Sequence, residues 1–366
     1  MTARIVLFGA TGYTGQLVVR ALTARGARPV LAARSRDRLD RLADALGGGL
    51  ETRLADVERP ETVRALIEPG DVLISTVGPF ARWGDAAVEA AVSAGAHYLD
   101  TTGEPAFIRR VFERYGPRAQ AAGCALVTAF GFDWVPGNLA AALALRDAGP
   151  EATRVSIGYF SRGGGSISGG TRASTLGAVL APSFAYRGGR LRTERAGARV
   201  RSFEVTPGEP RWALSIGGSE HLALPALHPT LRDVDVFLAA AGPAATRLIP
   251  ALTLALAAAT RVRPVRTRLD GFVRDRSPGS NGGPDAQARA QSSSVIIAEA
   301  YSSSSALLSS VRLQGVNGYT FTGDIVAWGA ITAAAGLASA GALGPVTAFG
   351  LAELERGLHE AGISRA

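Results

Sequence analysis

The sequence predicts an α/β protein: a doubly wound parallel sheet in the N-terminal part, followed by a second, α+β domain. Three observations predict it. Up to Pro136, short apolar runs alternate with amphipathic stretches, the rhythm of a parallel sheet covered on both faces. A glycine-rich turn, Gly9-Ala10-Thr11-Gly12-Tyr13-Thr14-Gly15, follows the first apolar run directly. After Ala152 the alternation stops, and Ser-Gly runs, arginine clusters and strands of antiparallel character take over. At 366 residues the chain exceeds the usual span of one domain. The expected division is residues 1–150 for the doubly wound domain, 151–330 for the second, and 331–366 for C-terminal helices that pack back on the first.

Each element has its local reason. Strands are expected at Arg4–Phe8, Pro29–Ala33, Leu50–Val57, Val72–Val77, Tyr98–Thr101 and Ala125–Ala129, where apolar runs end at turn residues. Helices are expected near Gly15–Arg25, Ser35–Leu46, Arg59–Ile67, Gly84–Ala94 and Pro105–Ala122. Beyond Ala152, Arg154–Tyr159 and Ser294–Ala300 read as strands, and the Ser302–Ser305 run as a hairpin tip or a flexible loop. Ala-dominated helices are expected at about Pro243–Thr260 and from Thr322 onward. Ile325–Ala352 carries no charge and is long enough to span a bilayer. Its residues are mostly Ala and Gly, with Pro345 near the end, so two buried helices joined by a Gly-rich loop are the expectation.

Composition narrows the function. Hydrophobic residues make up 47% and charged residues 19%, enough apolar material for a sizeable core. The net charge is +8, and the chain contains no lysine, so all 39 basic residues are arginine. That removes a phosphate-binding-loop nucleotidase, a Schiff-base enzyme and a Tyr-x-x-x-Lys dehydrogenase in their usual forms. The single cysteine, Cys124, permits no intrachain disulfide or cysteine zinc cluster and reads as a buried structural thiol. Four histidines without metal-ligand spacing give no expectation of a metal; His221 and His228 read as packing or surface residues. No charged-then-apolar leader is visible at the N-terminus, which makes the cytoplasm the expected compartment.

The glycine turn carries the first chemistry. Glycines there allow a tight turn and a close backbone approach to a pyrophosphate, which would rest on the N-terminus of the first helix. In this strand–turn–helix setting, Gly9, Thr11, Gly12, Tyr13, Thr14 and Gly15 are candidate dinucleotide contacts of a Rossmann-type domain. The end of the second strand selects the cofactor. An acid there would bind the ribose 2′-OH, whereas this sequence has Ala33-Arg34-Ser35-Arg36-Asp37-Arg38. The guanidinium of Arg34, with Ser35 and Arg38, suits a 2′-phosphate, so NADP(H) is the expected cofactor. Asp56, at the end of the third strand, is either an adenine contact or a turn residue. Ser75-Thr76-Val77-Gly78-Pro79-Phe80 ends the fourth strand, where a bound dinucleotide would pass its ribose and nicotinamide.

Hydride transfer also needs a proton donor, and without lysine that donor comes from Tyr, His, Asp, Glu or water. Tyr98 and Asp100 share one face of the fifth strand. Glu104 follows in the loop, and Asp133 follows the sixth strand at the same rim. These four are the catalytic candidates, with helix capping and loop tying as the competing role for Asp100 and Glu104. Tyr159 and the Ser168–Ser174 loop are placed to close over a substrate.

Taken together, several strings resemble one family. Gly9–Gly15, Ser75–Phe80, His97-Tyr-Leu-Asp-Thr-Thr-Gly-Glu104, Gly131-Phe-Asp-Trp-Val-Pro-Gly137, and Ser168-Gly-Gly-Thr171 with Ser174 are similar to the saccharopine dehydrogenase-like oxidoreductases, nearest to their trans-acting enoyl reductase branch. The resemblance extends to the Gly341–Ile363 segment. It implies an NADP-type Rossmann domain joined to an α+β substrate domain, and reduction of an enoyl group on a polyketide or lipid-like chain. A saccharopine-type imine reductase acting on an amino-acid-derived substrate is the alternative, and a non-catalytic NADP-binding sensor or partner subunit the third reading. Trp134 departs from the serine common in the family; an indole there narrows and dries the site.

The partner expectations are a small-molecule or carrier-bound acyl substrate, an acyl-carrier protein, and a homodimer. Two arginine clusters, Arg187–Arg201 and Arg261–Arg268, suit an acidic carrier or anionic lipid headgroups, or are solvated loops. No aromatic interleaving supports nucleic acid. Leu248–Thr260 is uncharged and too short to span a membrane, fitting a core helix or a peripheral membrane contact.

Overall fold

A computed structural model of the chain describes residues 3–163, 182–239, 251, 254 and 282–366. The first apolar run forms β1 (Ile5–Phe8), and the glycine turn delivers the chain into α1 (Tyr13–Ala24). The alternation continues through β2 (Val30–Ala33), α2 (Arg36–Ala45), β3 (Thr52–Leu54), α3 (Pro60–Arg64) and β4 (Val72–Ser75). Next come α4 (Phe80–Trp83), α5 (Asp85–Ala94), β5 (His97–Asp100), α6 (Pro105–Arg110), α7 (Gly116–Ala122), β6 (Ala125–Val127) and α8 (Val135–Ala148). The helix expected over Pro105–Ala122 is interrupted by a π-helical turn at Val111–Tyr115, just ahead of Pro117. The third strand is shorter than the expected Leu50–Val57: it lies at the sheet edge, where Arg53 and Leu54 are exposed and pair on one side only.

The strands join in the order β6-β5-β4-β1-β2-β3, all parallel. Every residue of β2 and β4 is buried, as a parallel sheet with helices on both faces requires. The order reverses between β1 and β4, so their carboxyl ends open the crevice in which such sheets bind ligands.

The second sheet is mixed. It contains β7 (Arg154–Arg162), β8 (Pro182–Arg187), β9 (Arg190–Arg195), β10 (Val200–Thr206), β11 (Glu209–Ser215), β12 (Asp233–Ala239), β13 (Ser293–Tyr301) and β14 (Leu307–Val316). β7 pairs in parallel with β12 and antiparallel with β13. The serine run turns the β13–β14 hairpin, closed by Ser302 N–H to the Ala306 carbonyl at 2.9 Å. Between β11 and β12 lies α9 (Glu220–Leu227), packed on α8.

The C-terminal part ties the two sheets together. α10 (Ala286–Ala290) leads into β13, and α11 (Gly318–Ala334) lies along α1, where Gly323 allows the close approach: a Cβ there would stand 3.0 Å from the Leu17 Cβ. The uncharged Ile325–Ala352 stretch is part of α11, a loop and α12 (Pro345–Phe349). Within that loop β15 (Gly341–Ala342) extends the first sheet beside β6. After α13 (Leu351–Glu360), β16 (Ile363–Arg365) joins the second sheet beside β14. No helix among the described residues is long and apolar enough to cross a membrane. The expected helix at Pro243–Thr260, apart from residues 251 and 254, lies outside the described residues; so do the Ser168–Ser174 loop and the Arg261–Arg268 cluster.

Candidate active site at the carboxyl edge of the first sheet

The glycine loop has the geometry that its residue types demand. Gly9 sits at φ +92°, and a Cβ on it would stand 2.5 Å from Thr76 Oγ1. A Cβ on Gly15 would stand 2.3 Å from the Gly9 carbonyl oxygen, so α1 can start against the loop only without a side chain there. Gly12 is the N-cap of α1 and offers no side-chain oxygen to the first-turn N–H groups. An anion can take that place, favoured by the helix dipole. Thr76 Oγ1 donates toward the Gly9 carbonyl at 3.1 Å and thereby holds the ends of β1 and β4 together at the crevice. The Gly78–Pro79 peptide is cis.

Around that loop, Arg34 is exposed at the end of β2 and Ser35 is the N-cap of α2. Arg38 donates to the Thr11 carbonyl at 2.8 Å, so part of its guanidinium braces the glycine loop. Asp56 accepts from the Glu58 N–H at 3.1 Å and shapes the turn before α3. Ser75 is buried, with its hydroxyl unpartnered among the described residues. Tyr13 reaches across to the second domain: its hydroxyl donates to the Pro284 carbonyl at 2.6 Å and accepts from Arg289 at 3.1 Å. Its ring meets Tyr319 edge-on at 5.3 Å. The unfilled first turn of α1, the side-chain-free approach at Gly9 and the exposed guanidinium of Arg34 together fit a phosphorylated dinucleotide.

The four acid/base candidates have different surroundings. Tyr98 is wholly buried in the core beneath the sheet, its phenol pushed well above the ordinary range by burial and by Asp100. Asp100 is also wholly buried and accepts three hydrogen bonds: from Thr102 N (2.9 Å), Thr128 Oγ1 (2.7 Å) and Ala129 N (2.9 Å). Burial raises it to about 6 despite those bonds. Its carboxylate ties the ends of β5 and β6 together. Glu104 accepts from the N–H groups of Phe80 and Ala81, both at 2.8 Å, and so caps α4 after the cis proline. Among the described residues, Asp133 is the acid of this rim with no such commitment to a loop or helix end. It lies beside Gly103, where a Cβ would stand 3.1 Å from its Oδ2. Desolvation raises it to about 6, and a cis peptide joins it to Trp134.

Behind Asp133 is a buried polar group whose acid, Glu220, the sequence did not reveal; Tyr159, expected to close over a substrate, is instead buried at its centre. Tyr159 packs edge-on against Trp134 and Phe132, at 5.3 and 5.8 Å between ring centroids. Its hydroxyl contacts Glu220 Oε1 at 2.7 Å, the Trp134 carbonyl at 3.1 Å and the Gly137 N–H at 2.9 Å. Glu220 is wholly buried, and burial raises its carboxyl to about 8. Nothing in Gly217-Gly218-Ser219-Glu220 marks the acid as internal, because an acid in the first turn of a helix is ordinarily a solvated dipole partner. His221 donates or accepts at Gly218, and burial lowers it to about 4; His228 meets the Ala152 carbonyl at 3.2 Å. Cys124 is buried just ahead of β6.

Residues 5–127 match the saccharopine dehydrogenase NADP-binding domain family. A protein of Mycobacterium tuberculosis provisionally named a trans-acting enoyl reductase is 40% identical over 181 residues, covering 47% of this chain and 43% of its own length. A trans-acting enoyl reductase of Mycobacterium leprae is 38% identical over 140 residues, 37% of this chain and 34% of its own. The chain thus spans less than half the length of these relatives. Among solved structures, saccharopine dehydrogenase (L-Glu forming) of Saccharomyces cerevisiae aligns over 100% of this chain and 99% of its own, at TM-score 0.62 and 13% identity. Homospermidine synthase of Legionella pneumophila, in complex with NAD, aligns over 100% and 92% at TM-score 0.62 and 10% identity. These two share the fold. The matched region, residues 5–127, is thus a saccharopine dehydrogenase-type NADP-binding domain, and its glycine loop and the arginine at the end of β2 fit NADP(H) as the cofactor.

Proposed function

We propose that the protein is an NADPH-dependent reductase of an activated double bond, an enoyl group on a polyketide or lipid-like chain. The observation that carries this reading is Asp133: a desolvated carboxyl, raised to about 6, at the carboxyl edge of the sheet beside the loop after β5. Gly9, Thr11, Gly12, Tyr13, Thr14 and Gly15 would hold the pyrophosphate, and Arg34, Ser35 and Arg38 the 2′-phosphate. Ser75, Thr76, Val77, Gly78 and Pro79 would flank the nicotinamide, and Asp56 would border the adenine side. When bound, NADPH supplies the hydride. Asp133 in its protonated form supplies the proton to the other carbon of the double bond, so that one hydride and one proton are added in all. Asp100 and Glu104 orient the rim on which Asp133 stands, and Tyr98 packs beneath it. Trp134 and Phe132 keep that edge dry, which raises the Asp133 carboxyl and so keeps a larger fraction of it protonated near neutral pH.

Trans-acting, as the relatives are named, supports a substrate presented by a separate protein, and an acyl-carrier protein is the presenter proposed here. The imine-reductase alternative requires arginines turned toward a substrate carboxylate. Arg187 and Arg199 are bonded to Asp235, and Arg201 to Glu299, which favours the enoyl reading. The test is NADPH oxidation with enoyl thioesters, free and carrier-bound, against imines of amino acids. Turnover with enoyl thioesters supports the proposal. Turnover with imines alone moves the assignment to the alternative, and NADPH binding with no turnover on either favours the sensor.

A further inference from the structure

Hydrogen-bond counting around Tyr159 leads beyond that reading. A phenol oxygen has one proton to give and lone pairs to receive. Of its three neighbours, the Gly137 N–H can only donate, and the Trp134 carbonyl can only accept. If Tyr159 gives its proton to Trp134, then Glu220 Oε1, at 2.7 Å, must itself be a donor. That holds only when Glu220 is a neutral carboxylic acid. If Glu220 is ionised, Tyr159 must turn its proton toward it and leave the Trp134 carbonyl. The surroundings agree with the neutral form. Oε2 has no partner among the described residues, and neither has Trp134 Nε1. Gly218 lets both groups approach: a Cβ there would stand 2.3 Å from Oε2 and 3.0 Å from the Trp134 ring. At Gly137 a Cβ would stand 1.9 Å from the Tyr159 hydroxyl oxygen and 2.7 Å from Oε1.

We propose that Glu220 is a positioning residue: as a neutral acid it donates through Tyr159 to the Trp134 carbonyl and so braces the turn that carries Asp133, and its ionisation withdraws that brace and leaves the carbonyl to Asn138 alone. The inference rests on the reading of Asp133 as proton donor. Among the described residues, the groups facing Glu220 include no cation to stabilise its charge. From the start of α8 come Asp133, Trp134 and Asn138, and from β7 comes Tyr159. On α9 its neighbour His221 is neutral. The charges of β8 and β12, Arg187 and Asp235, bond each other, and α12 contributes none. Burial first, and the Asp133 charge in addition, hold the Glu220 carboxyl near 8, opposed by the Tyr159 hydrogen bond.

The sign follows from linkage. A carboxyl held near 8 when folded, against an ordinary 4.5, contributes fully below 4.5, and its contribution is lost as pH rises through 8. The experiment measures the unfolding midpoint of the full chain from pH 6.5 to 9.5 and the ¹³C carboxyl titration of Glu220, in wild type and Glu220→Gln. Glutamine supplies a donor to Tyr159 and cannot ionise. The wild-type midpoint is expected to fall through pH 8 relative to E220Q, with one carboxyl resonance titrating near 8 and absent from the variant. In NADPH oxidation, both proteins fall with Asp133 above pH 6, and E220Q is expected to lose the additional steepening that the wild type shows near pH 8, while Glu220→Ala lowers turnover at every pH. A carboxyl already ionised at pH 7, or parallel pH curves for wild type and E220Q, overturns the proposal. The unfolding midpoint and the carboxyl titration need no Asp133 chemistry, whereas Asp133→Asn with full turnover overturns the proton-donor reading alone.

Discussion

At the scale of single residues, chemistry is assigned by what each polar atom is already doing. Arg34 is exposed at the end of β2, where a 2′-phosphate would lie, and a charge-assisted bond of that kind is worth about 1.5–3 kcal/mol. Arg34→Ala should therefore weaken NADPH binding by roughly 10- to 150-fold while leaving NADH binding nearly unchanged, as a fluorescence titration of both nucleotides would read. Asp133→Asn should cost about 10²- to 10⁴-fold in turnover with NADPH affinity retained. The acid must be protonated to act and is held at about 6. In wild type, kcat/KM should thus be level below pH 6 and fall about tenfold per unit above it. A flat profile across pH 5–8 would remove Asp133 from the proton step. Tyr98, Asp100, Glu104 and Asp133 all look alike as acid/base candidates in the sequence. What separates them is whether each is buried in the core, spent on a loop or left at the rim, and that depends on residues distant in the chain.

Elements transmit these positions. The β1–α1 turn depends on Gly15 because the Gly9 carbonyl occupies the space of any Cβ there. Gly15→Ala should cost about 1–3 kcal/mol through overpacking and displace the first turn of α1. Calorimetry would show a lowered unfolding temperature, and the nucleotide titration a weakened NADPH affinity. Glu104 acts on α4 in a similar way, holding the Phe80 and Ala81 N–H groups after the cis proline. Glu104→Ala leaves two N–H groups, one of them fully buried, without an acceptor, for a loss of about 1–3 kcal/mol. Its measurable signature is a lower denaturant midpoint with an unchanged slope. The elements of the first sheet were legible because parallel strands buried on both faces appear as uninterrupted apolar runs. The shortened third strand and the π turn at Val111–Tyr115 were not, since edge exposure and helix register are settled by neighbours.

In the whole molecule, the C-terminal part is structural to both sheets. β15 extends the first sheet, β16 extends the second, and α13 packs on α11, where Gly357 meets Trp328. Ending the chain at residue 340 should therefore leave neither sheet stable. Circular dichroism of the truncated protein should show loss of cooperative unfolding, and NADPH titration should show no binding. The sequence alone determined the doubly wound sheet and the glycine loop and pointed to NADP(H), because periodicity, turn chemistry and charge are local properties of the chain. By topology it put Asp133 after the sixth strand near the Glu104 loop, and in the structure Asp133 lies beside Gly103 of that loop. Only the tertiary structure decided that Asp100 and Glu104 are occupied by backbone and hydroxyl donors, that Tyr13 is held from the second domain, and that Glu220 lies buried against Tyr159. Those are contacts between residues tens to hundreds of positions apart. The environment of a charge, unlike the period of a strand, is set by whatever folds against it.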